Sequence, residues 1–248
     1  MPLSVAIITR NAEAELDACM ASIAFVDEVV VVDSGSTDGT IALAARHGAR
    51  VIQKEWLGFG PQKQFAVEAA SHDWVLCVDA DERVSAEMRD AILAELNSPR
   101  AFVYAVARRN RFLGRWLAHG EGYPDWSVRL FHRSHARWSS DPVHEKVIAG
   151  SPVHRLAGDL LHDSAESLEK YLDKQNRYTS LQAEAMHAAG RRASRLQLVF
   201  SPILRFVKFY LLRLGFLDGL PGLVHITIGC MNSFCKHAKL MALERTAK

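Results

Sequence analysis

Trp74-Val75-Leu76-Cys77-Val78-Asp79-Ala80-Asp81-Glu82 is the stretch from which the rest of the chain is read. An unbroken apolar run ended by acidic residues reads as a strand buried on both faces and stopping at its carboxyl end. Two carboxylates at i and i+2 just past a strand end lie close together at the edge of a sheet. Packing has no need of two charges there, whereas a divalent cation bridging substrate phosphates does. Mg²⁺ or Mn²⁺ is held by one or two carboxylates, with phosphate oxygens and water completing its shell. The triplet gains weight from a second acidic strand end upstream, Val30-Val31-Val32-Asp33-Ser34-Gly35-Ser36-Thr37-Asp38-Gly39-Thr40.

Working outward, strand patterns at residues 4–8, 28–32, 50–53 and 74–78 alternate with helical patterns at 12–23, 40–47, 63–70 and 86–96. This alternation implies an α/β fold with a mainly parallel central sheet and helices on both faces. Ligands of such sheets bind beyond the carboxyl ends of the strands, where Thr9, Asp33 and Asp79 all fall. From 101 to 162 the pattern turns irregular and rich in Trp, Arg and His, with strands expected at 102–107 and 127–131. Asp163-Ser164-Ala165-Glu166 reads as the start of a helix running to Gly190.

The 248 residues are 49% hydrophobic and 23% charged, the composition of a globular protein rather than a disordered one. Net charge is only +2, but it is unevenly spread: residues 1–190 carry 20 Lys and Arg against 26 Asp and Glu, whereas residues 191–248 carry 10 against 2. An acidic body with a basic, apolar tail points to a tail that meets an anionic surface. Along that tail Phe200, Leu204, Val207 and Leu211 are interspersed with Arg195, Arg205, Lys208 and Arg213, and no uncharged run reaches the ~20 residues of a spanning helix. The pattern suits a helix lying in the membrane interface, the alternative being a buried helix that closes the domain. Cys19, Cys77, Cys230 and Cys235 form no C-x-x-C pair and read as reduced thiols. No basic, then apolar, leader precedes the first strand, so a cytoplasmic protein, peripheral at the inner face of the membrane, is expected. Nothing points to nucleic acid.

Ser4 to Asn11, Val32 to Thr40 and Val78 to Glu82, taken in order and in their strand-end context, resemble the family 2 inverting glycosyltransferases of GT-A fold. Trp116 to Arg133, Pro142-Val143-His144-Glu145 and Gly215-Phe216-Leu217-Asp218-Gly219 resemble the bacterial lipopolysaccharide-core β-1,4-glucosyltransferase branch. The resemblance implies transfer of a hexose, glucose by expectation, from a UDP-linked sugar to a lipopolysaccharide core or similar lipid-linked glycan. It implies that Asp33 contacts uracil, that Thr9, Asn11 and Glu13 line the nucleotide pocket, and that Asp79 and Asp81 bind diphosphate through Mg²⁺ or Mn²⁺. Lys63, with Gln62 before it, is placed to reach base or phosphate, although a surface lysine is the plainer alternative. Arg129 is a candidate for diphosphate or acceptor phosphate. His162 is a candidate third metal ligand, or else a structural histidine.

An inverting transferase needs a base to deprotonate the acceptor hydroxyl, across the sugar from the departing diphosphate. Glu145 leads the candidates, followed by Asp125 and Asp141; a salt bridge to a nearby arginine is the competing explanation for each. The expected organisation is one GT-A domain over 1–190, with a nucleotide-binding half at 1–100 and an acceptor half at 101–190. A membrane-associating helical extension follows at 191–248. Two rivals remain at this point: a sugar nucleotidyltransferase, against which the glycine-free stretch from Ser4 to Glu13 argues, and a non-catalytic nucleotide-sugar or membrane-binding protein.

Overall fold

β1 (Leu3–Thr9), α1 (Glu13–Ser22), β2 (Glu28–Asp33), α2 (Thr40–Arg46), β3 (Arg50–Gln53), α3 (Phe59–Ala69) and β4 (Trp74–Cys77) alternate as the sequence implies. The structure is a computed structural model, and it describes residues 1–141, 145–163 and 167–246. Pro142, Val143 and His144 of the acceptor-half motif, and Ser164, Ala165 and Glu166 of the expected helix start, lie outside the described residues.

β2 and β4 flank β1 in parallel, and β3 extends the sheet beyond β2. The chain continues through β5 (Glu82–Val84), α4 (Ala86–Asn97), β6 (Val103–Phe112), β7 (Arg115–Trp116), β8 (Asp125–His132), β9 (Ala136–Trp138), β10 (Val147–Ala149) and β11 (Val153–His162). The sheet order is β3-β2-β1-β4-β8-β6-β11-β5, parallel over the first four strands, with β8 antiparallel to β4. This is the GT-A type of α/β fold. Both faces are covered, which is why β1, β2 and β4 read as continuous apolar runs. Val5 and Ile7 pack with Leu16, Met20, Met88 and Ile92 on one face, while Ala6 packs with Val67, Phe131 and Trp138 on the other.

Apart from β7 and the last residues of β6, these elements form one unit, Met1–Arg108 with Asp125–Ser164. The second unit is Arg109–Pro124 with Ala165–Lys248. It holds α5 (Leu168–Ala188), α6 (Arg195–Phe206), a wider helical turn at Val207–Leu212, a short turn at Gly215–Asp218 and α7 (Gly219–Thr246). Both α5 and α6 pack on α7, so the break expected after residue 190 falls inside this unit. Asp163 does not cap α5. Its amide donates to the Asp81 carbonyl at 3.2 Å, and Ser167 caps the helix by accepting from Lys170 N at 3.2 Å. Within this unit Asp218 is buried and accepts from Ala118 N at 3.0 Å and His119 N at 2.8 Å.

Among the described residues no single helix is long and apolar enough to cross a membrane; Arg195–Leu212 and Gly215–Arg245, bent by 74°, meet that test only as a pair.

Candidate active site

Two loops at the carboxyl ends of β1 and β2 are stitched together by the residues singled out there. Thr9 Oγ1 donates to Asp33 Oδ2 at 3.0 Å, Asn11 Oδ1 accepts from Thr37 N at 2.8 Å, and Glu13 Oε2 accepts from Gly39 N at 2.9 Å. Neither Thr9 nor Asn11 caps α1, because both side chains are engaged across to the second loop. Asp38 does act at the start of α2, accepting from Thr40 N at 3.1 Å. Asp33 is fully buried. Its Oδ1 accepts from Gly35 N at 3.0 Å and Ser36 N at 2.8 Å, and its Oδ2 from the hydroxyls of Thr9 and Ser36. All four acceptor sites of this carboxylate are therefore used inside the chain.

Beyond β4 the strand end carries a tight cluster of charge. Lys63 on α3 is buried, not a surface lysine. Its Nζ stands 2.9 Å from Asp79 Oδ1 and 3.5 Å from Glu145 Oε1, over the Trp138 ring at 4.8 Å. Arg129 on β8 is also buried, and its Nη2 donates to Asp79 Oδ2 at 3.2 Å and Glu82 Oε1 at 2.8 Å. Among the described residues, Arg129 Nε and Nη1 find no hydrogen-bond partner. Such buried donors are costly to leave unmade unless a ligand oxygen or water meets them. Burial alone would raise the Asp79 carboxyl, but the Arg129 and Lys63 charges outweigh it and hold Asp79 well below the usual carboxylate range. Asp79 is thus ionised across the physiological range.

Glu82, with no solvent exposure, accepts from Asp79 N at 2.9 Å as well as from Arg129. Sequence reasoning gave Glu82 no role, nor Arg108 and Trp138. A clue was present in Glu82: a third acidic residue beside a buried strand needs a cation, and Arg129 is that cation.

Asp81 and His162 come together, with Asp81 Oδ2 3.1 Å from His162 Nε2. Burial would raise the Asp81 carboxyl, yet the hydrogen bond and charge of His162 carry it below its ordinary value. Asp79 does not join them: among the described residues no three His, Cys, Asp or Glu side chains gather into a metal-holding group. The physical reason is that both oxygens of Asp79 face cations. The pair that remains does fit an ion. Two neighbouring ligands of an octahedral metal with ~2.1 Å bonds stand about 3 Å apart, and phosphate oxygens and water normally supply the other positions.

Of the candidate bases, Glu145 is half-buried beside Lys63. Asp125 is engaged by Arg108, whose Nε and Nη2 lie 3.0 and 2.8 Å from its Oδ2. Asp141 is exposed.

Residues 4–155 match Glycosyl transferase family 2. The chain belongs to that family. It is similar to the lipopolysaccharide core biosynthesis glycosyltransferase LpsC of Rhizobium meliloti, with 32% identity covering 97% of this chain and 92% of the relative. It is also similar to the uncharacterized glycosyltransferase RT0209 of Rickettsia typhi, with 33% identity covering 98% of this chain and 87% of the relative. Among solved structures, S. aureus TarS 1–349 in complex with UDP superimposes with a TM-score of 0.53 at 16% identity, covering 100% of this chain and 92% of that one. At that identity the likeness speaks for the fold. Family membership sets aside the nucleotidyltransferase reading.

Proposed function

We propose that this family 2 glycosyltransferase moves a hexose, glucose in our reading, from a UDP-linked sugar to a lipopolysaccharide core or similar lipid-linked glycan by direct displacement with inversion. The observation that supports it most is Lys63, whose ammonium lies against both Asp79 and Glu145. One cation therefore links the carboxylate on the diphosphate side to the carboxylate suited to deprotonate an acceptor. Lys63 and Arg129 are the positive groups standing where charge develops on the leaving diphosphate, which is what fixed charges in a preorganised site stabilise. Glu145 is preferred as base over Asp125 because Arg108 already holds the latter. Asp81 and His162 would hold Mg²⁺ or Mn²⁺, with Asp79 placing its neighbours; the ion would neutralise the diphosphate as a Lewis acid. Thr9, Asn11 and Glu13 keep the nucleotide loops in register. Asp33 would receive the base N–H once the Ser36 hydroxyl turns away.

The tail supports a lipid-side reading. No residue of α6 is buried, and Leu196, Phe200, Leu204, Leu211 and Leu212 are all at least half exposed. An apolar face of this kind, in a segment with net positive charge, suits the interface of an anionic membrane.

Three measurements test the reading. Titration of UDP-glucose, UDP-galactose and other donors, with and without Mn²⁺ and with chelator, should give metal-dependent binding that Asp81→Ala removes. Proton NMR of the product should show an inverted anomeric centre. Glu145→Gln should keep donor binding and lose on the order of 10²–10⁴-fold in transfer rate. Full transfer by Asp81→Ala in chelator, or a retained anomeric configuration, would sink the proposal.

A further inference from the structure

Three large apolar side chains stand in solvent at the entry to α3: Trp56 is 45%, Leu57 46% and Phe59 54% exposed. Two of them form a fixed pair. The Trp56 and Phe59 ring centroids are 4.8 Å apart with planes at 87°. Gly58 between them has φ 99°, a conformation that favours glycine. The segment is tied down from beneath. Gln62 has no exposure; its Oε1 accepts from Leu57 N at 3.2 Å and its Nε2 donates to Ser34 Oγ at 3.1 Å. Gly60, next after Phe59, lies against the segment that carries the proposed base. A Cβ at Gly60 would run into the Ser139 carbonyl and stand 3.4 Å from Cβ of Glu145.

A rigid aromatic pair left facing water, one residue from a glycine whose added Cβ would reach Glu145, is shaped for a ligand with one apolar face. A pyranose ring is such a ligand. Its C–H face packs on an aromatic ring while its hydroxyls stay at the rim for polar groups. We propose that Trp56 and Phe59 form the stacking platform for the pyranose ring of the acceptor, the sugar whose hydroxyl Glu145 deprotonates. This rests on the reading of Glu145 given above. Asp79, Asp81 and His162 belong to the diphosphate, so the base side is the acceptor side, and the platform lies on it. The donor sugar is held through its diphosphate and does not need these rings.

The test uses the full chain and separates the platform from the reading beneath it. Saturation-transfer NMR with a deacylated lipopolysaccharide core oligosaccharide as probe should show contact with the sugar ring protons. The signal should fall strongly in Trp56→Ala, persist in part in Trp56→Phe, and survive in Glu145→Gln. In transfer assays Trp56→Ala should raise the acceptor KM by about tenfold, the scale of a lost aromatic contact. The donor KM and the rate at saturating acceptor should stay within about twofold of the parent protein. Unchanged probe contact in Trp56→Ala overturns the platform. So does an equal loss of donor affinity, or a loss confined to vesicle binding or self-association. Failure of the wild-type chain to bind any nucleotide sugar would instead refute the transferase reading, and the NMR contact is scored apart from it.

Discussion

A carboxylate without solvent exposure, Glu82, holds both the amide of Asp79 and the guanidinium of Arg129. Removing one partner of a buried ion pair strands the other, at about 3–5 kcal/mol, whereas replacing both with apolar groups is often neutral. Glu82→Ala should therefore unfold at clearly lower urea, and Glu82→Leu with Arg129→Met should recover much of the loss; equal midpoints for Glu82→Ala and the parent would mean that Arg129 is not dependent on it. At the opposite end of the parallel strands Glu28 plays a plainer part. Burial would raise its carboxyl, but hydrogen bonds from Ser4, Ser71 and Arg50 outweigh this and lower it from 4.5 to about 2. A depressed carboxyl stabilises the fold above its unfolded value and loses that contribution as pH falls. The loss should fall between about pH 4.5 and pH 2, and Glu28→Gln should flatten the stability–pH curve in that window. At this scale the aspartates were legible because acidic residues at strand ends are rare enough to notice. Lys63 was read as a possible surface residue, since nothing in a single chain says which cation a carboxylate will pull inside.

The elements were legible wherever they were long and periodic, and least so where they were short or carried glycine. β5 is three residues long and cannot show alternation. β11 hides behind Gly158, whose φ of 82° and approach to the backbone of Met88 make it a packing glycine rather than a turn. α3 begins at Phe59, whereas the sequence placed its start at Lys63 because Gly58, Gly60 and Pro61 read as breakers. A proline in the first turn costs little, for its missing N–H would have no helical partner there. That same turn is a point of strain for substitution. Gly60→Ala should force α3 away from the Ser139 carbonyl, with about 1–3 kcal/mol lost as in overpacked sites. It should impair transfer more than donor binding, because Ser139 donates to the Lys146 carbonyl beside Glu145 and the shift would carry to it; a variant with parental stability and rate would show that the two segments slide freely.

Over the whole molecule, charge divides along the chain, and the second unit carries the exposed apolar face. Four cations were expected to meet headgroups, but Arg205 pairs with Glu121 and Arg213 Nη2 donates to the Tyr123 carbonyl at 2.9 Å. Arg195 and Lys208 remain exposed. With roughly 1 kcal/mol per basic residue at an anionic surface, vesicle binding should weaken only modestly with salt. Phe200→Glu with Leu204→Glu should abolish co-sedimentation while leaving nucleotide binding intact; vesicle binding unaffected by that pair would make the face a contact for something other than lipid. The expected break at residue 190 and the two units differ because α5 looks polar in sequence and its packing on α7 depends on residues far downstream. That distance has a consequence in time. The amides of Ala118 and His119 are met by Asp218, about a hundred positions later. At a ribosomal pace of roughly 5–20 residues per second they wait on the order of 5–20 s for their acceptor. The segment leaving β6 is thus secured only about a hundred residues after it is made, and a nascent chain arrested before Asp218 should be cut there by protease while the β1 to β4 half already resists it.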